Sequence, residues 1–132
     1  LAHSDLFRAG VASSGGYNKS LTPFGFQNER RSLWKARDVY EQVSTYSHAD
    51  KVNEPLLIVH GEDDANPGTE PVQSPKLFQA IRGNGGTARL VMLPHEPHWY
   101  AAREINEHFA AEMLEWFDRW VKNAGPRSPK QP

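Results

Sequence analysis

The sequence contains no cysteine, and this absence removes three kinds of chemistry at once. Without thiols there is no disulfide, no cysteine nucleophile and no Cys-ligated zinc, although the redox compartment stays open. No apolar run approaches the roughly 20 residues that a membrane-spanning helix needs. The compartment is thus undetermined: we expect a soluble protein of the cytoplasm or the periplasm, with no membrane partner.

The sequence also lacks an excess of either charge. Its 15 Lys and Arg residues balance 16 Asp and Glu residues, so no basic surface suited to a phosphate backbone is indicated. Nucleic acid is therefore not an expected partner. With 38% hydrophobic residues among 132, the chain has the composition of one globular domain or a large part of one.

Apolar segments alternate with amphipathic ones along the chain. PLLIVHG, residues 55–61, is an apolar run of the kind that is buried on both faces of a parallel sheet. Further strands are predicted at 7–13 and 88–93, and helices at 28–44, 73–83 and 105–120, with residues 1–7 as the end of an earlier helix. This order predicts an α/β fold with a mainly parallel sheet flanked by helices. The polar segment 125–132 is expected to be a disordered tail.

Two polar loops follow neighbouring strands of the predicted sheet. EDDANPG follows PLLIVH, and HEPHW follows the strand at 88–93. Because the carboxyl ends of parallel strands meet at one edge, we expect the acidic loop and the histidine loop to meet there. Asp64 precedes His98 by 34 residues, the order of the last two members of an α/β-hydrolase triad. In such a triad the carboxylate orients the imidazole, which takes a proton from a serine.

Two other interpretations of these loops are open from the residues alone. Asp64 could bond only to the backbone of its own loop. His95 and His98 could bind a metal together with the carboxylates of the acidic loop, but H-x-x-H on a Pro-containing turn lacks the helical register of zinc peptidases. We therefore predict no metal and no other cofactor, and we expect His95 to order its turn.

The serine of such a triad is missing, because no G-x-S-x-G motif occurs in the sequence. The nearest match is VASSG, residues 11–15, in which Val11 replaces the first glycine and a loop follows instead of a helix. Ser13 and Ser14 are therefore not expected to be nucleophiles.

Three segments together resemble the carboxyl-terminal part of the catalytic domain of prolyl-oligopeptidase-like serine peptidases, in the branch of glutamyl endopeptidases and acylaminoacyl peptidases. They are SSGGYNKSLTPFGFQNERRSLWKARDVY, LLIVHGEDDANPGT and LPHEPHWYAARE. The resemblance implies that residues 1–124 form the C-terminal portion of an α/β-hydrolase domain. It also implies a serine peptidase that hydrolyses peptide bonds through an acyl-enzyme, with a peptide as substrate.

The resemblance assigns roles to individual residues as well. The H-G-x-x-D motif implies the triad acid at Asp64, and the histidine turn implies the base at His98, where Pro97 and Trp99 stand in place of the family's usual Ser and Gly. The nucleophile and the oxyanion hole would precede residue 1, in a missing N-terminal part of the same protein. The positions that correspond to substrate contacts in relatives are Tyr17, Phe24 and Asn66.

A preference for glutamate would require a cation at the pocket, because a buried carboxylate without a partner is costly. Lys19, Arg30 and Arg31 are the nearest cations in sequence.

Other functions fit the same residues. An esterase or dienelactone-hydrolase-like enzyme shares the fold, and a noncatalytic fragment or docking module would account for the missing serine. We expect Asp64 within hydrogen-bonding distance of a His98 ring nitrogen, with His95 pointing elsewhere. The isolated chain is expected to be inactive, and either to be marginally soluble or to form homo-oligomers through an unpaired strand edge that exposes Ala9 and Val11.

Overall fold

The computed structural model describes residues 1–126, which form three parallel strands with helices on both faces. Strand β1 is Gly10–Ser13, β2 is Leu56–Gly61 and β3 is Ala88–Leu93. The order in the sheet is β1-β2-β3, so each strand pairs with its neighbour in sequence. The predicted fold class, α/β with a parallel sheet flanked by helices, is confirmed.

Strand β2 lies at the centre of the sheet, and all six of its residues are buried. The run LLIVHG suits this position because apolar and β-branched side chains fill both faces, as the sequence predicted. Strand β3 also matches its predicted range, whereas β1 is shorter than the predicted strand at 7–13.

The helices lie between and after the strands. Helix α1 is Arg37–Val43, α2 is Gln73–Gly83 and α3 is Arg103–Phe117, which continues as one π-helical turn at Asp118–Lys122. Two 3-10 segments, Lys19–Leu21 and Thr45–Lys51, lie in the connection between β1 and β2. No helix within residues 1–126 combines the length and apolarity needed to cross a membrane.

The sheet separates two hydrophobic clusters. On one face, Leu77 and Ile81 of α2 pack against Leu56 and Ile58. On the other face, Trp116 of α3 packs against Leu57, Val59 and Leu93. The alternation of side chains along β2 thus joins both clusters to one strand.

The apolar residues within 105–120 recur at helical spacing, which predicts one inward-facing stripe on α3. Most members of the stripe pack in the second cluster: Ile105, Phe109, Met113, Trp116 and Trp120. Phe117, which the same spacing places inward, is 40% exposed, so that part of the prediction is wrong.

Residues 1–7 do not form the predicted helix end. The Ser4 hydroxyl accepts a hydrogen bond from the Leu6 N–H, and such local bonds compete with helical ones. Leu1 and Ala2 nevertheless pack against the cluster that contains α2.

The helix predicted at 28–44 begins only at Arg37. Residue Glu29 explains the delay, since its backbone pairs with Phe26 and its carboxylate accepts a hydrogen bond from the Arg31 N–H. These bonds hold the segment in turns, and Asn28 does not cap a helix. Of the predicted tail 125–132, residues 127–132 lie outside the described residues.

Ala9 and Val11 do not face solvent as expected. Both side chains are partly buried against the cluster beneath α3. The exposed part of β1 is instead its outer backbone edge, because β2 is its only strand partner within residues 1–126.

Candidate active site

The acidic loop after β2 and the histidine turn after β3 lie against each other at the carboxyl edge of the sheet. The Glu62 N–H donates to the Leu93 carbonyl at 2.9 Å, and the Asp63 N–H donates to the Glu96 carbonyl at 3.0 Å. Gly61 permits this approach, since a Cβ atom there would lie 2.6 Å from the carbonyl oxygen of Pro97. The strand register therefore brings together the two loops that the sequence predicted to meet.

The carboxylate of Asp64 receives hydrogen bonds on both of its oxygens. His98 Nδ1 and His60 Nε2 lie 2.8 Å and 2.9 Å from Oδ2, and Thr69 Oγ1 lies 3.1 Å from the same oxygen. The Asn66 N–H donates to Oδ1 at 2.8 Å. The side chain of Asp64 is fully buried among these donors.

Burial and hydrogen bonding act in opposite directions on the pKa of Asp64. Desolvation is the largest single influence and raises the pKa, whereas the four donors each lower it. Their sum places the pKa of Asp64 below its ordinary value, so the group is an anion at neutral pH. The structure thus holds a buried negative charge directly beside His98.

The contact between Asp64 and His98 matches the geometry expected from the sequence. Because a carboxylate only accepts, the 2.8 Å contact requires the proton on His98 Nδ1 and leaves the lone pair of the neutral ring on Nε2. Nε2 makes no hydrogen bond within residues 1–126, and the side chain is partly exposed. Chemically, this arrangement can accept a proton at Nε2 and stabilise the resulting imidazolium through Asp64.

Trp99 occupies the position after His98 at which the resemblance implied a glycine. Its ring is 83% exposed and meets the His98 ring edge to face, with centroids 5.1 Å apart. The bulky side chain therefore turns outward, and His98 still reaches Asp64.

His95 points away from this pair. Its side chain is 92% exposed, and Nδ1 lies 3.8 Å from Asp63 rather than near Asp64. Its backbone has a positive φ of 61°, a conformation that histidine tolerates better than most residues. Within residues 1–126 no group of three or more His, Cys, Asp or Glu side chains is arranged to hold a metal ion.

His60 is a site residue that the sequence analysis did not identify. It is completely buried in β2, and its Nδ1 lies 2.6 Å from Ser74 Oγ of helix α2. Since Nε2 must carry the proton given to Asp64, Nδ1 accepts from the Ser74 hydroxyl. The sequence signal for it is the first position of the H-G-x-x-D motif, a histidine inside an apolar strand four residues before Asp64, which the sequence analysis used only to locate the aspartate.

Glu96 is a second residue whose role was missed. Its buried carboxylate accepts hydrogen bonds from the N–H groups of Ala101 and Ala102, at 2.6 Å and 3.3 Å, at the entrance of α3. A carboxylate at a helix start is favoured by the helix dipole. Glu96 therefore fixes the histidine turn to α3.

The three residues predicted to contact substrate lie at different places relative to Asp64 and His98. Asn66 belongs to the Asp64 loop, and Tyr17 is buried near Ser74, where burial raises the pKa of its phenol to about 12. Phe24 is 81% exposed and packs on Trp34, with no hydrogen bond or ring contact to Asp64 or His98 within residues 1–126. Their roles in substrate binding remain predictions.

Ser13 and Ser14 lie at the carboxyl end of β1 but are engaged elsewhere. Ser13 Oγ lies 2.7 Å from the Tyr100 hydroxyl, and Ser14 Oγ donates to the same hydroxyl at 3.3 Å. Neither hydroxyl makes a hydrogen bond to His98 within the described chain.

The parallel sheet and its paired loops define the carboxyl-terminal portion of an α/β-hydrolase fold. An uncomplexed acylaminoacyl peptidase of Pyrococcus horikoshii shares this fold, with a TM-score of 0.79 and 22% identity over 98% of this chain and 23% of that one. The model of the prolyl oligopeptidase family matches residues 1–124. The chain belongs to this family.

Two plant relatives carry the same name, probable chloroplastic glutamyl endopeptidase. The protein of Arabidopsis thaliana is 50% identical over 121 residues, 91% of this chain and 13% of the relative. The protein of Oryza sativa subsp. japonica is 47% identical over 129 residues, 97% of this chain and 14% of the relative. The chain therefore spans only about one seventh of the length of these relatives.

Proposed function

We propose that this chain supplies the acid and the base of a Ser-His-Asp triad in a serine peptidase. Asp64 orients His98 and stabilises its protonated form, while His98 Nε2 takes the proton of a serine that lies elsewhere in the whole protein. The serine then attacks a peptide carbonyl, and the C–N bond breaks as His98 gives its proton to the leaving amine, which leaves an acyl-enzyme. Water, deprotonated by His98, hydrolyses the ester, releases the acid product and returns the proton to the serine. Residues 1–124 would be the C-terminal part of the catalytic domain.

One observation carries this proposal: a buried anionic carboxylate lies 2.8 Å from Nδ1 of a partly exposed histidine whose Nε2 makes no hydrogen bond in residues 1–126. The names of the two plant relatives extend the proposal to the substrate. We infer that peptides with glutamate next to the cleaved bond are hydrolysed.

The test uses the whole protein that contains this chain. His98→Ala should lower kcat for a peptide substrate by about 10⁴-fold or more while KM changes little, because the base acts in the chemical step. His95→Ala is the matched control, since His95 lies in the same turn but its side chain is exposed and lies 3.8 Å from Asp63 rather than near Asp64. Unchanged turnover in His98→Ala, or an equal loss in His95→Ala, would contradict the assignment.

A further inference from the structure

Lys19 is a half-buried cation in the loop between β1 and α1. Its Nζ lies 5.4 Å from the centroid of the Phe26 ring, and no ion pair within residues 1–126 involves it. Desolvation lowers the pKa of Lys19, which means that its charge is held at a cost. A nearby anion would offset that cost.

The ammonium group lies close to the Asp64 loop. A Cβ atom built on Gly16 would lie 3.2 Å from Lys19 Nζ and would collide with the carbonyl oxygen of Gly68. Gly68 directly precedes Thr69, whose Oγ1 lies 3.3 Å from His98 Nδ1. Lys19 Nζ therefore lies beside the backbone of Gly16, which packs on Gly68, one residue before the Thr69 side chain that bonds to Asp64.

The two other cations near in sequence are placed less favourably. Arg31 forms a two-pronged pair with Glu29, with Nη2 2.7 Å from Oε2 and Nε 3.0 Å from Oε1. Its charge is thus already compensated. Arg30 is exposed and makes no hydrogen bond or ion pair within residues 1–126 that would direct it to the site.

We propose that Lys19 binds the carboxylate of an acidic side chain of the peptide substrate, at the residue next to the cleaved bond. This inference rests on the proposed function and assigns its specificity to one residue. The aromatic ring of Phe26 lies beside the ammonium group, and the missing side chain at Gly16 lets Lys19 and the Gly68 backbone come close together. A compact ammonium charge in this setting attracts a carboxylate and rejects a cationic side chain.

The test compares peptides that differ only in Glu, Gln or Lys before the cleaved bond, with the whole protein and its Lys19→Met and Lys19→Glu variants. Lys19→Met should lower kcat/KM for the Glu peptide by about 10- to 100-fold, the usual range for a charge-assisted hydrogen bond. The Gln peptide should change by less than about threefold, and Lys19→Glu should favour the Lys peptide. Lys35→Met, which removes an exposed lysine, is the matched control and should leave the Glu preference unchanged.

The outcomes separate this inference from the proposed function. An equal loss for the Glu and Gln peptides in Lys19→Met would show a structural role, and an unchanged Glu preference would show that another cation binds the substrate. Calorimetric binding of the Glu and Gln peptides to His98→Ala, with and without Lys19→Met, gives a readout without turnover. If Lys19→Met selectively weakens binding of the Glu peptide, the role of Lys19 is supported even when the peptidase assignment fails. If the Glu and Gln peptides lose the same affinity, or neither loses any, the role of Lys19 is overturned.

Discussion

Asp64 accepts hydrogen bonds from two histidines that differ in their exposure and in whether their second ring nitrogen is hydrogen-bonded. His98 is partly exposed and keeps the lone pair on Nε2, whereas His60 is fully buried and has both ring nitrogens bonded. The buried ring therefore cannot exchange protons with a substrate. What it can do is hold the carboxylate in place and stabilise its charge.

His60 should accordingly affect the pH dependence of activity and not only stability. In the whole protein, His60→Leu removes one donor from Asp64, so more negative charge is available to stabilise protonated His98. We expect kcat to fall by about 10-fold or more, because the Asp64 carboxylate loses one of the donors that hold it in place to orient His98, and the acid side of the kcat/KM profile to move to higher pH. His60→Gln keeps an N–H near the Nε2 position and should restore part of the activity.

The same substitution should alter acid stability. Because hydrogen bonds place the folded-state pKa of Asp64 below its ordinary value, its contribution to stability is present above that value and is lost as the pH falls through the folded pKa. Loss of a donor raises that pKa, so acid unfolding of His60→Leu should begin at higher pH. A lower melting temperature with an unchanged activity profile would reduce His60 to a packing residue.

Asp64 and His98 were predictable from the sequence, whereas the roles of His60 and Glu96, which hold them in place, were not. The H-G-x-x-D motif and the histidine turn indicated Asp64 and His98 because chain order fixes which strand ends they follow. His60 and Glu96 were missed because their function depends on where a buried side chain points. A one-dimensional pattern does not encode that direction for a polar residue inside an apolar run.

At the scale of the elements, the site depends on how closely two loops approach. N–H groups of the acidic loop donate to the carbonyls of Leu93 and Glu96, and Gly61 lies where the two loops approach closely. Any side chain at Gly61 would separate the loops and lengthen the contact between Asp64 and His98.

Gly61→Ala should therefore damage activity more than the size of a methyl group suggests. We expect kcat to fall by about 100-fold, since a displacement near 1 Å is enough for such a loss, and the free energy of unfolding to drop by about 1–3 kcal/mol. Gly83→Ala is the matched control because a Cβ atom at Gly83 of α2 meets no atom within 4 Å. Equal kcat values for both variants would show that the loops can move apart without consequence.

Elements with a clear hydrophobic pattern in the sequence were predicted well. The segment held by side-chain hydrogen bonds was not. Strands β2 and β3 and helix α2 match their predicted ranges because burial alone determines them. The segment before α1 has helical spacing, but the bonds of Glu29 to its neighbours keep it in turns. Local polar bonds of this kind override a weak hydrophobic period.

At the scale of the whole molecule, one edge of β1 has no strand partner within residues 1–126, and this has a direct consequence. The N–H groups of Gly10 and Ser14 bond to the segment around β2, so by alternation those of Val11 and Ser13 point outward. An outer edge of this kind pairs readily with another strand. In the isolated chain the available partner is a second copy.

We predict that the purified 132-residue chain self-associates and hydrolyses neither a chromogenic acyl ester nor a Glu-containing peptide. Association is measured by light scattering after gel filtration, and Ser13→Pro should reduce it by removing one outward N–H. Hydrolysis that is lost in His98→Ala would show that a nucleophile does lie in these residues, with Ser13 or Ser14 the first to examine. A strictly monomeric chain would contradict the edge argument.

The strand order also determines when the site can exist during synthesis. The order of the strands in the sheet is the same as their order in the chain. The ribosome therefore releases each strand after the strand with which it pairs. His60, Asn66 and Thr69 all precede β3, so three of the four donors to Asp64 are synthesised before His98. The hydrogen bond from His98 to Asp64, and with it the proton-accepting site, can therefore form only after β3 and the histidine turn have left the ribosome.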